Sequence, residues 1–544
     1  MAKYGNGLAG LATAARAAVG AYQFFQAMKP RTPPKPVDPM EGMATAVELD
    51  RFAFDPDGFY LGKIHEDHGI DFEASLPASD DRHVLIVAGS ASGKGVTLGV
   101  QNAIRWKGPL FAIDPKAEIA ELTGMRRGSR EAAKDSGTSV RQFVGQKVAI
   151  LDPMGETRGP AKKFCVHYDP LSDIDISDMR TARKRISKLA AGMVIPENGD
   201  NAHFSENATT LIAGTIEAVK MLEKERDHRL PFIRQKILGN VKLKDENSPT
   251  KREETAIKAG FEALYDYLTQ DALPDDGHAA EAASVIGEVL GSDEAGSFRT
   301  TLSRNLKWLI DLDMQDHLKP SGFSLWRAVQ EGWTVLLVLN PDDVGEYRNW
   351  LRMNVQIALS AKMAMGTNQE GPQTLFLLDE FPVLGRFKEI EEKAGYIRGY
   401  GVKLAPIIQY VGQLQELYAK NWEAFIGNAA ALIGWGFNDL ATEEYFSKRL
   451  GKVIVDETTV GTSSNFSLGG GSTGDSESTT RRERMIRFSN ELREQGARET
   501  MRAFVIPATG KGFTIRRVPY MELKERKVFD SIEHIRAWEK HHGL

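Results

Sequence analysis

Seven short apolar runs constrain the fold of this chain more than any other feature of its sequence. They occupy residues 83–89, 109–115, 147–153, 334–341, 374–381, 403–409 and 430–436, and stretches with helical spacing separate most of them. Strands that are apolar along their whole length are typical of parallel sheets covered by helices on both faces. We therefore predict an α/β fold with a mainly parallel sheet.

The pattern of strands also divides the chain into segments. Between about residues 175 and 325 the strand signal stops and helical spacing takes over. We predict an all-α domain over 176–324, inserted into an α/β domain over 43–175 and 325–544. Residues 1–42 are predicted as a helix over 7–28 and a proline-rich linker, and the Gly/Ser-rich tract 461–480 as a flexible loop.

Composition excludes several classes of function. The chain has 544 residues and a formal net charge of −5, so it is not a basic nucleic-acid binder as a whole. Contact with a nucleic acid would have to come from a local basic surface or the inside of a ring. The single cysteine, Cys165, excludes an internal disulfide framework and a thiolate-rich zinc site.

The stretch "VLIVAGSASGKGV" has the form of a phosphate-binding loop. It follows an apolar strand and precedes a helix expected to start near Lys94. Glycines let the backbone curl so that successive N–H groups face an anion, and the helix N-terminus adds a positive dipole end. We predict that the nucleotide is bound by Gly89, Ser90, Ala91, Ser92, Gly93, Lys94, Gly95 and Val96.

Two adjacent carboxylates at the end of a later strand complete the pattern. "LFLLDEF" places Asp379 and Glu380 directly after the apolar run, as in a Walker B strand. Asp379 is expected to hold Mg²⁺, directly or through water, and Glu380 to polarise the attacking water. The combination of loop, strand and acidic pair predicts ATP hydrolysis with Mg²⁺ as cofactor.

Three further residues are candidates for nucleotide chemistry. Gln409 ends the next apolar run and could sense the γ-phosphate or position water, or be a polar strand end. Arg398 and Arg449 could act as arginine fingers from a neighbouring subunit, although most arginines lie on the surface.

Taken in order, these blocks resemble the type IV secretion coupling proteins, the TraG/TraD-type conjugative DNA-transfer ATPases. The resemblance rests on "DRHVLIVAGSASGKGV", "FAIDPKAEI", "KVAILDPMGE", "HYDPLSD", "LFLLDEFPVLGRFKEIEEKAGYIRGYGVKLAPIIQ" and "NAAALIGWGFNDLATEEYFSKRLGK". It covers roughly residues 45–460 and, more weakly, "FVIPATGKGFTIRRVPYME". Many members of this family have Gly after the loop lysine, as Gly95 follows Lys94 here.

The resemblance implies a RecA-like P-loop NTPase domain interrupted by an all-α domain. It implies a homo-hexamer at the cytoplasmic face of the bacterial inner membrane, which uses ATP to transfer single-stranded DNA bound to a relaxase, protein effectors, or both, to a secretion channel. Lys94, Asp379 and Glu380 match the loop lysine and the Walker B acids. Arg398 matches a trans-acting arginine, and Gln409 matches a γ-phosphate sensor.

Several alternatives stay open at this stage. Family members typically begin with two transmembrane helices, whereas here the helix at 7–28 is the one candidate before the motor, so attachment is either integral or peripheral. A double-stranded DNA translocase and a non-hydrolysing recruitment adaptor are alternative functions. Gly95 stands where phosphate loops usually carry a Mg²⁺-contacting Ser or Thr. Water is the expected replacement, with Thr97 as the second candidate.

Overall fold

The structure is a computed structural model that describes residues 40–522, except 135, 137, 139, 198, 240–248, 368 and 466–471. The predicted helix over 7–28 and its linker up to residue 39 lie outside the described residues. In the part of the chain that the structure describes, no helix has both the length and the apolar character needed to cross a membrane.

The strands form one large sheet and one separate hairpin. In chain order they are β1 Phe59–Ile64, β2 Glu73–Leu76, β3 His83–Ala88, β4 Leu110–Asp114, β5 Val148–Leu151, β6 Thr334–Val338, β7 Thr374–Leu378, β8 Val402–Ile408, β9 Ala429–Trp435, β10 Lys452–Asn465, β11 Ser472–Met485, β12 Arg502–Pro507 and β13 Phe513–Arg516. Among the described residues the large sheet has eleven strands in the order β2-β1-β13-β12-β9-β3-β8-β7-β4-β6-β5.

Strands β3 to β9 coincide with the seven apolar runs, and all of them pair in parallel. Every residue of these strands is buried, as expected for a parallel sheet covered on both faces. The predicted α/β fold with a mainly parallel sheet is therefore confirmed. The antiparallel extension β12, β13, β1 and β2 was not predicted, because these strands mix apolar and polar residues over short lengths.

The helices cover the sheet and fill the long interval between β5 and β6. They are α1 Ala46–Leu49, α2 Val100–Arg105, α3 Glu118–Arg127, α4 Met179–Met193, α5 Ala202–Leu222, α6 Leu230–Leu238, α7 Pro249–Leu268, α8 His278–Leu290, α9 Ala295–Leu306, α10 Leu312–His317, α11 Leu325–Gln330, α12 Arg348–Met363, α13 Lys388–Ile397, α14 Gly412–Tyr418, α15 Ala424–Gly427, α16 Leu440–Leu450 and α17 Ser489–Gln495. A π-helical turn, Gly95–Gly99, precedes α2.

The interval predicted to be all-α contains helices and no strand among its described residues. Its longest helix, α5, approaches α8 closely at Gly214. A Cβ atom there would lie 2.3 Å from Cβ of Ala282 and 2.4 Å from the carbonyl oxygen of His278. Glycine is therefore required where these two helices meet. The exact domain boundaries at 175 and 325 stay a prediction.

Residues 451–486 belong to a different compact unit from residues 43–450 and 487–522. The sequence predicted a flexible loop over 461–480, and this prediction is wrong for its described part. Strands β10 and β11 pair antiparallel from Lys452 opposite Met485 to Asn465 opposite Ser472. Backbone hydrogen bonds between β-branched and small residues sustain such a ribbon, so the lack of apolar residues did not exclude strands.

Arg127, in the last turn of α3, is a fully buried cation. It bonds to Thr334, the first residue of β6, and so lies near the amino ends of the parallel strands, whereas the loop after β3 lies at their carboxyl ends. Burial lowers the pKa of its guanidinium to about 9. The side chain donates hydrogen bonds to five acceptors, namely the carbonyl oxygens of Ala103, Trp106 and Gly108, the hydroxyl of Thr334 and the amide oxygen of Gln146. One side chain therefore ties α2, the turn after it, and β6 together.

We predict that Arg127→Met lowers the free energy of unfolding by about 3 kcal/mol, because it leaves several buried acceptors without a donor. The measurement is the midpoint of denaturant unfolding, followed by tryptophan fluorescence. Arg130→Met, at an exposed position three residues away, is the matched control and should change the free energy by less than about 0.5 kcal/mol. Equal midpoints for the two variants would contradict the role given to Arg127.

Candidate nucleotide site

The predicted phosphate loop connects β3 to the π-helical turn at Gly95–Gly99. Two of its residues have left-handed backbone conformations, Ala91 with φ 54° and Gly93 with φ 83°. Lys94 returns to the right-handed helical region with φ −55°. This alternation of left- and right-handed residues is typical of backbone concavities that bind anions. The loop therefore has the shape that its sequence predicted.

One side of the loop rests on the end of β9. A Cβ atom on Gly89 would lie 2.1 Å from the carbonyl oxygen of Gly436, so only glycine allows this approach. The indole nitrogen of Trp435 donates a hydrogen bond to the carbonyl oxygen of Ser92 at 3.1 Å. Arg517 donates to the same oxygen at 2.6 Å, and its guanidinium lies over the ring of Trp435. These contacts hold the loop against the sheet.

Arg517 is a component of the site that the sequence did not identify. It is buried, and burial lowers the pKa of its guanidinium to about 10. Besides Ser92, it donates to the carbonyl oxygen of Arg498 at 3.0 Å. Nothing in its local sequence marks it, because it follows the short strand β13 and contacts a loop residue that lies 425 positions away in the sequence.

Lys94 lies between the two Walker B carboxylates. Its ammonium contacts Asp379 at 2.8 Å and also contacts Glu380, with side chains that are 15%, 18% and 25% exposed, respectively. Burial of the ammonium opposes its charge, but the two carboxylates outweigh this effect and raise the pKa of Lys94. Burial raises the pKa of Asp379, and the nearby charge of Lys94 offsets part of this increase. The three predicted residues therefore form one charged cluster.

Gln409 connects this cluster to the loop. Its amide oxygen accepts a hydrogen bond from the hydroxyl of Ser90 at 2.7 Å, and its amide nitrogen donates to Glu380 at 3.0 Å. The bridge is possible because β3, β8 and β7 are successive neighbours in the sheet, and Ser90, Gln409 and Glu380 follow their ends. The structure thus brings Lys94, Asp379, Glu380 and Gln409 together.

Two acidic residues that the sequence analysis gave no role lie at the same edge of the sheet. Asp114 ends β4, which pairs in parallel with β7, and its carboxylate accepts a hydrogen bond from the backbone of Ala120 at 2.8 Å. Glu118 begins α3 and lies beside Gly95. Burial, with smaller contributions from Glu118 and Asp379, raises the pKa of Asp114 to about 7. The sequence signal that could have identified both residues is their place at or just after the end of an apolar strand, like that of Asp379 and Glu380.

Backbone strain is concentrated at this site. Among the described residues, five other than glycine have positive φ angles. Three of them, all with φ 54°, are Ala91 in the loop, Ala117 immediately before Glu118, and Glu380 itself. Such conformations persist where the surrounding structure overdetermines them, which is common at functional sites.

The two candidate arginine fingers lie apart from this cluster. Arg398 follows α13 and pairs with Asp81, which precedes β3, so it lies near the opposite end of the sheet from Lys94. Arg449, near the end of α16, is exposed. A role for either arginine in the site of a neighbouring subunit stays a prediction.

The residues present fit a nucleotide accompanied by Mg²⁺. Magnesium in such sites is usually held by one or two carboxylates together with phosphate oxygens and water. Asp379 supplies a carboxylate, Lys94 supplies a cation for the phosphates, and Gly95 adds no side chain beside Glu118. Among the described residues, no group of three His, Cys, Asp or Glu side chains is arranged to hold a metal ion by itself.

Comparison with known sequences extends this picture. The family described as "Type IV secretory system Conjugative DNA transfer" matches residues 41–487. Protein VirD4 of Rhizobium rhizogenes is 24% identical over 391 residues, covering 69% of this chain and 50% of that protein. The conjugal transfer protein TraG of Escherichia coli is 25% identical over 419 residues, covering 75% and 60%. The chain spans about half the length of the curated relatives it matches.

Comparison with solved structures shows that the chain shares its fold with a conjugative coupling protein. The unbound bacterial conjugative coupling protein TrwBdeltaN70 superposes with a TM-score of 0.59 and 13% identity, covering 90% of this chain and 94% of that one. TrwB in complex with ADP and Mg²⁺ gives a TM-score of 0.56 and 12% identity, covering 90% and 96%. With most of its length matched by the family and its sheet shared with these structures, this chain belongs to the type IV secretory system conjugative DNA transfer family.

Proposed function

We propose that the chain is an ATP-dependent coupling protein that recruits single-stranded DNA with its relaxase, protein substrates, or both, to a type IV secretion channel and powers their transfer. The observation that carries the proposal is the convergence of Lys94, Asp379, Glu380 and Gln409 beside the phosphate loop. Family membership supports the assignment of this site to DNA transfer.

Each residue of the cluster has a chemical role in the proposed reaction. Lys94 neutralises the β- and γ-phosphates, and Asp379 holds Mg²⁺, which compensates negative charge on the phosphates. Glu380 orients and polarises the attacking water, and Gln409, bonded to both Ser90 and Glu380, relays the state of the γ-phosphate. Arg398, exposed and outside its own site, reaches the site of the next subunit in a homo-hexamer.

The relatives support the choice of cofactor and cargo. One TrwB structure is a complex with the non-hydrolysable ATP analogue ADPNP and another a complex with ADP and Mg²⁺, and TraG is a conjugal transfer protein. We extend ATP, Mg²⁺, DNA and the secretion channel to this chain on that basis. The net charge of −5 is compatible with DNA binding if a ring carries basic residues along its pore.

We predict that Lys94→Ala lowers the affinity for ATP by about 100-fold or more, because the phosphates lose their cation and meet two uncompensated carboxylates. Isothermal titration calorimetry with ATP and Mg²⁺ measures this loss. Lys107→Ala is the control, since Lys107 is an exposed lysine paired with Asp57 and should leave the affinity unchanged. Equal affinities for wild type and Lys94→Ala would refute the assignment of the loop.

We predict that Glu380→Gln lowers the ATPase rate stimulated by single-stranded DNA by about 100-fold while changing ATP affinity only a few-fold. The amide keeps the shape of the side chain but cannot accept a proton from water. Glu392→Gln, at an exposed site on α13, is the control and should retain the wild-type rate. Equal background rates for wild type and Glu380→Gln would instead favour the non-hydrolysing adaptor.

We propose that the chain associates with the cytoplasmic face of the inner membrane through residues 7–28. Six residues recur there at helical spacing, namely Leu8, Leu11, Ala15, Val19, Tyr22 and Phe25. In a flotation assay with vesicles of bacterial lipids, the full chain should float and a variant lacking residues 1–40 should stay at the bottom. Flotation of both would assign membrane contact to another part of the chain, and flotation of neither would refute attachment to lipid.

A further inference from the structure

The phosphate loop lacks the hydroxyl that usually contacts Mg²⁺, because Gly95 follows Lys94. Two nearby hydroxyls do not take its place in the structure. Thr97 is buried and donates its hydroxyl hydrogen to the carbonyl oxygen of Gly93 at 2.9 Å. Ser92 faces Gly436 at the end of β9, on the side of β3 away from Asp379. The third hydroxyl, that of Ser90, donates to Gln409 at 2.7 Å, so a protein ligand in place of the missing hydroxyl would come from outside the loop.

A carboxylate occupies the space beside Gly95. A Cβ atom built on Gly95 would lie 2.8 Å from Oε2 of Glu118 and 3.9 Å from its Cδ. Any side chain at position 95, including that of serine, would collide with this oxygen unless Glu118 moved. Gly95 therefore allows an oxygen of Glu118 to lie next to the place where a side chain at position 95 would begin.

Several contacts fix the backbone of Glu118 at the start of α3. Ala117, with φ 54°, turns the chain so that α3 begins at Glu118, and Asp114 accepts a hydrogen bond from Ala120 in the first turn. The next residue, Ile119, lies against Gly99, with its Cδ1 3.7 Å from where a Cβ would be. The start of α3 and the helix after the loop are therefore packed together, which limits the movement of Glu118 relative to the loop.

We propose that the Glu118 carboxylate replaces the loop hydroxyl as a protein ligand of the Mg²⁺ that accompanies the nucleotide, and that Gly95 is the residue that makes room for it. With Asp379, which follows β7, the site then offers two carboxylates, the other at the start of the helix after the adjacent strand β4, and such a set suits Mg²⁺ bound to phosphates. This inference rests on the proposed nucleotide-binding function and adds a residue that its sequence motifs do not contain.

The test is the Mg²⁺ dependence of ADP binding, measured by calorimetry of the full chain with ADP in EDTA and over a series of Mg²⁺ concentrations. In Glu118→Gln, the Mg²⁺ concentration that gives half of the maximal increase in ADP affinity should rise by about tenfold or more. The ADP affinity in EDTA should stay within about twofold of the wild-type value. Glu121→Gln, on the same helix three residues on, is the matched control and should behave as wild type. An unchanged Mg²⁺ requirement in Glu118→Gln would overturn the proposal.

A paired substitution distinguishes a metal ligand from a residue that merely shapes the loop. Gly95→Ser combined with Glu118→Ala returns the usual hydroxyl to a site without the carboxylate, so it should recover most of the wild-type Mg²⁺ dependence. Glu118→Ala alone should not recover it. Equal Mg²⁺ dependence in these two variants, both folded by circular dichroism, would contradict the exchange of ligands.

The outcomes for this inference and for the proposed function can be told apart. A wild-type chain that binds no ADP in either EDTA or Mg²⁺ would refute the nucleotide site as a whole, and the inference with it. A wild-type chain whose ADP affinity rises with Mg²⁺, together with an unaffected Glu118→Gln variant, would refute the role of Glu118 and leave the nucleotide site standing.

Discussion

The parallel pairing of β3, β8, β7 and β4 is the constraint on which the rest of the site depends. In parallel strands the carboxyl ends meet at one edge of the sheet, so the residues that follow them converge. Here those residues are the phosphate loop, Gln409, Asp379 with Glu380, and the turn from Asp114 to α3. Groups from distant parts of the chain thereby form one polar cluster at the ends of strands that are themselves fully buried.

One ammonium group in this cluster partly compensates two carboxylates. Buried carboxylates are unfavourable without a partner, and the ammonium of Lys94 offsets this cost for both Asp379 and Glu380. Phosphates of a nucleotide would compete for the same ammonium, and a divalent cation would then compensate the carboxylates. Binding of nucleotide and binding of metal are therefore coupled through Lys94, while Gln409 connects the loop to Glu380 in the same network.

The antiparallel part of the sheet supports the loop from the other side. Strands β12 and β13 continue the sheet beyond β9. Arg517, the residue after β13, and Trp435 both donate hydrogen bonds to the carbonyl oxygen of Ser92. The loop is thus held between β9 on one side and the carboxylates after β7 and β4 on the other. This arrangement gives the C-terminal strands, which have no nucleotide motif of their own, a direct structural part in the site.

The sequence by itself determined the seven parallel strands and the chemical identity of Lys94, Asp379 and Glu380, because apolar runs and the residues at their ends are local patterns. It did not reveal the strands within 451–486, which pair through their backbones over a tract rich in Gly, Ser and Thr. Only the tertiary structure decided that Arg517 touches the loop and that Glu118 fills the space beside Gly95. Both contacts depend on which strands become neighbours and how closely helices pack on them, and local sequence patterns do not encode distances between such elements.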